Sequence, residues 1–332
     1  MIIHYKQVSS LLASLVLTLP VFAQSAPDTL HQKAIAFAAA KFAEARPFNI
    51  EYSGVLPYTF SPKSSNMAWP GGKFTRFSQL KVGSNLNLIK RQRWVLGVNF
   101  QYKYISPGVD LVHPNTAGFT PAGKDFQYFN TALNFTYFSR LFGKPVIYGA
   151  SVMVDGSEKH FERLKGMAFG TMVLKADART KMTAGVVVYV DPTSLVPVLP
   201  TFSYEHKFHD DWSVDVILPK YLYLRKFASN NGRISLGTEF DQTSFYLYGL
   251  NPANLSQRYQ YQQLDLNTGV TYEHLLGKYF IFMVRGGLRF TPNGKVFEKS
   301  NYGSPIYQTS PAPAPFFNVG FSFNPFIKRR KK

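Results

Sequence analysis

The chain of 332 residues contains no cysteine. That excludes disulfides, thiolate metal sites, cysteine nucleophiles and an N-terminal lipoprotein anchor. Long apolar runs are missing as well. The longest, Leu11 to Leu19, is too short to cross a bilayer as a helix. Charge is sparse at 17% of residues, and acidic charge is sparser still, with 19 Asp and Glu against 37 Lys and Arg, for a net +18. A basic balance can mark a nucleic-acid binder. Here the basic residues are spread over many segments of a chain that carries an export signal, so no nucleic-acid partner is expected.

That export signal is read at the N-terminus. Lys6 gives a positive start, Leu11 to Leu19 an apolar centre, and Val21-Phe22-Ala23 a small-residue cleavage site. Residues 1–23 are therefore expected to be a signal peptide. Residues 24–45 are expected to form a periplasmic lead-in, helical or disordered, because Asp28 to Ala45 is alanine-rich and Asp28 can cap it.

What the chain has in excess is aromatic residues, 16% with 30 Phe and 20 Tyr, at a mean hydropathy near zero. Alternating strands produce that combination, because each lipid-facing side chain is offset by a lumen-facing neighbour. The clearest case is Arg93 to Ile105. Trp94, Leu96, Val98, Phe100, Tyr102 and Tyr104 share one face, and Gly97, Asn99, Gln101 and Lys103 the other. A period of two is a strand, and an apolar face with aromatic ends suits a bilayer crossing.

The same alternation recurs through residues 46–327, divided by connections that alternate in length. Short turns fall at Lys90-Arg91-Gln92, Leu141 to Lys144, Asp177 to Arg179, His209 to Asp211 and Leu276 to Lys278. Long loops fall at Ser61 to Lys73, Ser106 to Asp125, Asp155 to Lys165, Asn251 to Arg258 and Asn293 to Pro313. Fourteen strands are expected, with twelve if Trp212 to Arg225 is a single strand. The fold class is all-β, a transmembrane antiparallel up-and-down β-barrel. Short turns are periplasmic in bacterial barrels, so both termini are expected in the periplasm, with a basic tail at 328–332, and the long loops outside the cell.

Three segments resemble an uncharacterised outer-membrane β-barrel family common in Bacteroidetes-type bacteria. They are Arg46-Pro47-Phe48-Asn49-Ile50-Glu51-Tyr52, then Trp212 to Pro219 followed by Tyr221-Leu222-Tyr223-Leu224-Arg225, and Ile234-Ser235-Leu236-Gly237. The resemblance implies location and fold and carries over no functional residue.

Candidate chemistry lies on the inward face. Lys81, Asn99, Gln101, Lys103, Asn130, Asn134, Glu239, Asp265, Asn267, Arg285 and Arg289 are expected to line the lumen. The hairpin at Leu276-Gly277 should bring Arg289 near Asp265 and Arg285 near Asn267. Opposed charges around water would sort small solutes, or pair with one another and plug the barrel. Two Tyr-Glu-His triplets, Tyr204 to His206 and Tyr272 to His274, each precede a short turn, and recurring hairpin chemistry accounts for them better than catalysis. His206, His209, Asp210 and Asp211 do not share a face reliably enough to hold a metal. A lipid hydrolase needs a serine beside an activating histidine, and no strand shows a His-x-Ser arrangement.

The expectation is a non-enzymatic outer-membrane barrel without cofactor, passing small polar solutes, with anions favoured by the basic excess. The alternative is a structural or surface-binding barrel that meets an external ligand through loops carrying Trp69, His113, Phe119 and Phe161. Outer-membrane lipid is the one partner common to both.

Overall fold

The computed structural model describes residues 30–63, 71–112, 119–122, 124–191, 194, 196–248, 258–299 and 301–327. The expected signal peptide, the tail at 328–332, and Trp69 and His113 lie outside them. An alanine-rich helix, α1 (Leu30–Lys41), precedes the strands β1 (Phe48–Val55), β2 (Tyr58–Pro62), β3 (Gly71–Lys90), β4 (Trp94–Val112), β5 (Phe119–Ala122) and β6 (Phe126–Leu141). The chain continues through β7 (Lys144–Gly156), β8 (Phe161–Ala176), β9 (Thr180–Val190), β10 (Val198–Lys207), β11 (Trp212–Leu218) and β12 (Tyr221–Phe227). It ends with β13 (Gly232–Tyr248), β14 (Arg258–Leu276), β15 (Phe280–Glu298), β16 (Tyr307–Pro311) and β17 (Ala314–Phe323).

Every paired strand is antiparallel to its neighbour, and the sheet closes on itself. Ile50 of β1 lies opposite Val82 of β3 on one side and Phe321 of β17 on the other. β1 with β2, β5 with β6 and β16 with β17 are each two pieces of one wall strand, which makes a closed barrel of 14 strands. The first wall strand is interrupted at Leu56-Pro57 because proline has no N–H to give the ladder. Trp212 to Arg225 folds as the two strands β11 and β12, so the twelve-strand alternative does not arise.

The outer surface is apolar all the way round. Leu288 is 58% exposed, Val152 57% and Leu236 54%, values that only a non-aqueous surrounding makes favourable over so continuous a band. Tyr137, Tyr148, Trp212, Tyr272 and Phe280 ring its short-turn edge, and Phe100, Phe202, Phe240 and Phe290 sit nearer the long-loop edge.

The short turns use local chemistry to fix register. Phe142 and Gly143 take φ of 51° and 74°, the left-handed pair that matches strand twist in a two-residue hairpin. At the β8–β9 turn the Asp177 carboxylate accepts the backbone N–H of Thr180 at 2.5 Å and of Arg179 at 2.9 Å. The Thr180 N–H, then that of Arg179, hold the Asp177 carboxyl below the usual aspartate range. A depressed carboxyl stabilises the fold above the ordinary aspartate value of about 3.9 and loses that contribution as the pH falls through its own lower value. Asp177→Ala should therefore melt below the native barrel at neutral pH, with the difference closing in acid, as followed by circular dichroism in detergent. A gap that stays constant across pH would contradict the role of the charge.

The wall is not of even height. β13, β14 and β15 run 17, 19 and 19 residues, whereas β11 and β12 run 7 each. This asymmetry shapes the interior at the long-loop end.

Candidate functional site in the lumen

One half of the lumen, walled by β1, β3, β12 to β15 and β17 and reached by Lys103 from β4, is charged and self-paired. Lys81 meets Asp241 at 2.7 Å. Glu239 holds Arg285 at 2.6 Å, Lys220 at 3.2 Å and the Tyr223 hydroxyl at 2.8 Å. Arg289 donates to Asn267 Oδ1 at 2.9 Å and faces Asp265 at 3.6 Å, while Asp265 accepts from Thr291 at 2.5 Å and Gln263 at 2.6 Å. Lys103 donates to the Gln242 carbonyl at 3.4 Å. Buried charges persist only when paired and hydrogen-bonded in this way.

Helix α1 stands inside the short-turn end of the barrel. Alanine side chains make it thin enough to fit, and its last turn anchors it. Lys41 bridges Glu205 at 2.7 Å and Asp215 at 2.8 Å, both on the inward face of the wall, and Arg225 holds the same Asp215 at 3.0 Å. Burial pulls the Lys41 ammonium below the ordinary lysine value against the opposing pull of Asp215 and Glu205. Just past the helix, Arg46 donates to the Ala39 carbonyl at 3.0 Å and to Ser322 at 2.7 Å, and faces Glu273 at 3.4 Å. Asn324, just past the end of β17, closes the same end by donating to the Ala39 carbonyl at 3.1 Å.

The other half of the lumen, walled by β4 to β9 and backed by α1, is a cavity of about 1370 Å³. Asn99, Asn130, Asn134, Met153, Met167 and Phe169 line it. Its side chains are amide, thioether and aromatic through the middle, with charges confined to the short-turn rim. The cavity suits a molecule with an apolar body and a few hydrogen-bonding groups.

At the long-loop end the lumen is closed by the wall itself. β6 and β13 lie half-way round the barrel from each other, yet Phe126 stacks on Phe245 at 4.5 Å and Tyr128 on Tyr246 at 6.3 Å. β13, still paired with β14 to its end, therefore bends inward across the lumen. On one face Phe245 joins Val55, Tyr58, Phe77, Ile105 and Phe316 in a buried core. On the other, Tyr246 donates to Asp155 at 2.9 Å, Tyr248 to Glu162 at 2.8 Å, and Lys165 meets Asp155 at 2.7 Å.

A family profile described as a domain of unknown function, DUF6268, matches residues 126–324. The chain belongs to the DUF6268 family. The match spans the wall from β6 to the end of β17, including the resembling segments at Trp212 to Arg225 and Ile234 to Gly237. No curated protein matches the sequence. Among solved structures, an outer membrane channel from Pseudomonas putida F1 is 7% identical, with a TM-score of 0.34 over 83% of this chain and 94% of that one. Outer membrane phospholipase A from Escherichia coli is 11% identical at a TM-score of 0.32, covering 83% and 96%. A Pseudomonas aeruginosa FadL homologue is 9% identical at 0.34, covering 87% and 94%. Likeness at this level does not extend to activity.

The DUF6268 barrel brings the expected lumen residues together in two groups. Lys81, Lys103, Glu239, Asp265, Asn267, Arg285 and Arg289 fall in the charged half. Asn99, Asn130 and Asn134 face the cavity, and Gln101 lies between Asn99 and Lys103 on the same face of β4, opposite Asn130 of β6. Arg289 does meet Asp265. Arg285 does not meet Asn267: the β14–β15 register sets Asn267 against Arg289 and Thr271 against Arg285, because the turn is Gly277-Lys278-Tyr279, one position further along than Leu276 to Lys278, and is closed by Leu276 opposite Phe280. Arg285 instead donates to Thr271 at 2.9 Å and reaches Glu239. In both Tyr-Glu-His triplets the glutamate points inward to the plug, Glu205 to Lys41 and Glu273 to Arg46 and Arg233. The tyrosine and histidine of each lie on the opposite face, with Tyr204 and His206 stacked at 6.2 Å. Phe161 is largely exposed at the long-loop rim, with its ring edge-on to Phe129 at 5.8 Å. Sequence reasoning missed Lys41, Arg46, Asp215, Arg225, Arg233 and Asp241. A basic residue on an otherwise alanine-rich helix, and acids on the polar face of a strand, were the available signals.

Proposed function

We propose that this protein is an outer-membrane barrel that binds small molecules of mixed polarity in its lumen and passes them across the membrane through a normally closed path. The cavity of about 1370 Å³ between α1 and β4 to β9 carries this reading. Short turns and both chain ends are placed in the periplasm, following the habit of bacterial barrels, so the cavity faces the periplasmic side behind α1. A freely conducting anion pore is not the resting form in this reading. The lumen cations Lys81, Arg285 and Arg289 already hold carboxylates, and β13 crosses the outer mouth. No catalytic step is part of the proposal.

The test uses the refolded mature protein. In planar bilayers it should show no steady openings. In detergent it should bind N-phenyl-1-naphthylamine saturably, and Met167→Lys should weaken that binding about 10-fold or more, since a charge desolvated in the cavity wall costs well over the 1.4 kcal/mol that a factor of ten represents. Steady ohmic conductance by the native barrel, or binding indifferent to Met167→Lys, would overturn the reading.

A further inference from the structure

The low part of the wall opens the side of the barrel. Pairing between β10 and β11 ends at Phe202 opposite Leu218, and pairing between β12 and β13 ends at Tyr221 opposite Glu239. One more contact, the Phe240 N–H to the Lys220 carbonyl at 2.8 Å, completes the lip. Beyond it β10 continues for four residues, Val198 to Thr201, paired among the described residues only with β9. β13 continues for eight, Asp241 to Tyr248, paired only with β14 among the described residues. In an unbroken wall β11 and β12 would continue between these two edges. Here both stop, and β13 turns inward, drawn by Lys81 on Asp241 and Lys103 on the Gln242 carbonyl. The result is a notch between the upper edge of β10 and the outer face of β13.

Three observations fix its setting. First, seven-residue strands fall short of the roughly 9–11 residues that a tilted strand needs to cross the hydrocarbon core, so the lip lies within the apolar band. The exposed side chains around it agree: Leu218, Leu222, Val198, Phe202 and Phe240 all point out into that band. Second, the notch is not walled off by charge. The inward residues above the lip on β9 and β10 are Gly185, Val187, Tyr189, Leu199 and Thr201, paired Gly185 with Thr201 and Val187 with Leu199, and Val187, Tyr189, Leu199 and Thr201 are only partly buried. Third, the notch reaches the cavity. Thr183, on the cavity wall, donates to or accepts from Ser203 at 2.7 Å, and Ser203 lies one residue below the last β10–β11 pair. At about 3.3 Å per residue the cavity's upper edge and the lip are therefore nearly level.

We propose that this notch is a lateral portal joining the bilayer leaflet at the long-loop end to the lumen cavity, and that its occupant is a single-chain amphiphile dissolved in that leaflet. An apolar chain crosses the lip beside Leu218 and Leu199 and enters the space lined by Met153, Met167 and Phe169, while a weakly polar head reaches the asparagines on β4 and β6. The aqueous outer mouth, shut by the buried Phe245 core, is not on the path. The inference rests on the cavity's being a binding site, and names both the class of molecule it takes and the side from which that molecule comes.

Because the chain has no native cysteine, single-cysteine variants report on one place each. Leu199→Cys and Gln242→Cys at the notch, Leu222→Cys on the lipid-facing wall and Asn130→Cys on the far lumen wall would be labelled with bimane. Each would be reconstituted as a folded full-length barrel into phosphatidylcholine vesicles bearing brominated acyl chains. The portal predicts quenching at positions 199 and 242 close to that at 222 and several-fold above that at 130, although Leu199 lies on the inward face of its strand. Quenching at 199 no greater than at 130 overturns the portal and leaves the cavity reading intact, which the Met167→Lys binding result decides separately. The occupant is tested with the methyl ester of 16-doxyl stearic acid added to unbrominated vesicles, where bimane on Met167→Cys should be quenched saturably. Quenching at 199 without any at 167 overturns entry of the chain into the cavity.

Discussion

A barrel carrying Lys41→Ala and Arg46→Ala together should expose its cavity to the short-turn side on the order of 100 times more than the native barrel does, because loss of buried pairs worth about 3–5 kcal/mol far exceeds the 1.4 kcal/mol of each tenfold step. The two side chains are the helix's ionic anchors. Lys41 is held by Glu205 and Asp215, and Arg46 by Ser322 and Glu273. Removing both leaves the wall acids with cations of their own: Asp215 keeps Arg225 at 3.0 Å, Glu273 keeps Arg233, and Glu205 keeps Lys181 at 3.8 Å. The wall should therefore fold while the helix loses its dock. The readout is the rate at which Met167→Cys reacts with a bulky polyethylene-glycol maleimide applied to folded protein, checked for intact barrel by its heat-modifiable mobility on a gel. Lys41→Ala alone should give an intermediate rate. Equal rates in native and double-variant backgrounds would mean that α1 does not stand between the cavity and the short-turn side.

The parts of this structure that could be read in the sequence are those governed by one strand at a time. The alternation from Trp94 to Tyr104, the Pro- and Gly-rich long loops and the tight turns fix strand number and facing, since period and turn chemistry are local. Which residues share one face of a strand was readable for the same reason, since facing follows from parity alone. Pairings across the lumen were not legible. Lys81 finds Asp241 at a separation of 160 residues, and Arg46 finds Ser322 at 276, contacts that depend on where the barrel closes rather than on any local pattern. The inward turn of β13 escaped notice because Asp241 to Tyr248 alternates like any spanning strand. Phe245 and Leu247 face the core between β13 and the β1–β6 side, and Tyr246 and Tyr248 face Asp155 and Glu162. Both faces are covered by protein, so the parity that means lipid elsewhere means a second interior here. The expected approach of Arg285 to Asn267 was off by four residues on β14, since the turn is Gly277-Lys278-Tyr279 and the ladder it sets places Arg285 opposite Thr271.

Phe245→Ala should be the most damaging single apolar truncation in the long-loop half, at about 3–5 kcal/mol for an aromatic removed from a packed core. Its ring lies between Phe126 at 4.5 Å and Tyr261 at 5.0 Å, against Val55, Phe77 and Ile105, in a cluster where Ile105 has no exposed surface at all. No neighbour there can collapse inward cheaply, since each is itself fixed in a ladder. The contrast that isolates the core from the polar seam is Tyr246→Phe. It deletes one hydrogen bond to Asp155, about 1.5–3 kcal/mol for a charged acceptor, while Tyr128 at 3.1 Å and Lys165 at 2.7 Å continue to hold that carboxylate. Urea unfolding in phospholipid vesicles should place Phe245→Ala well below Tyr246→Phe. Phe245 also packs β13 against the far side of the lumen, so its loss should bring intermittent openings in planar bilayers where the native protein should show none. A destabilised but still silent Phe245→Ala barrel would show that the Lys81–Asp241 and Lys103–Gln242 contacts hold the partition without the core, and closure would then belong to the charged half of the lumen.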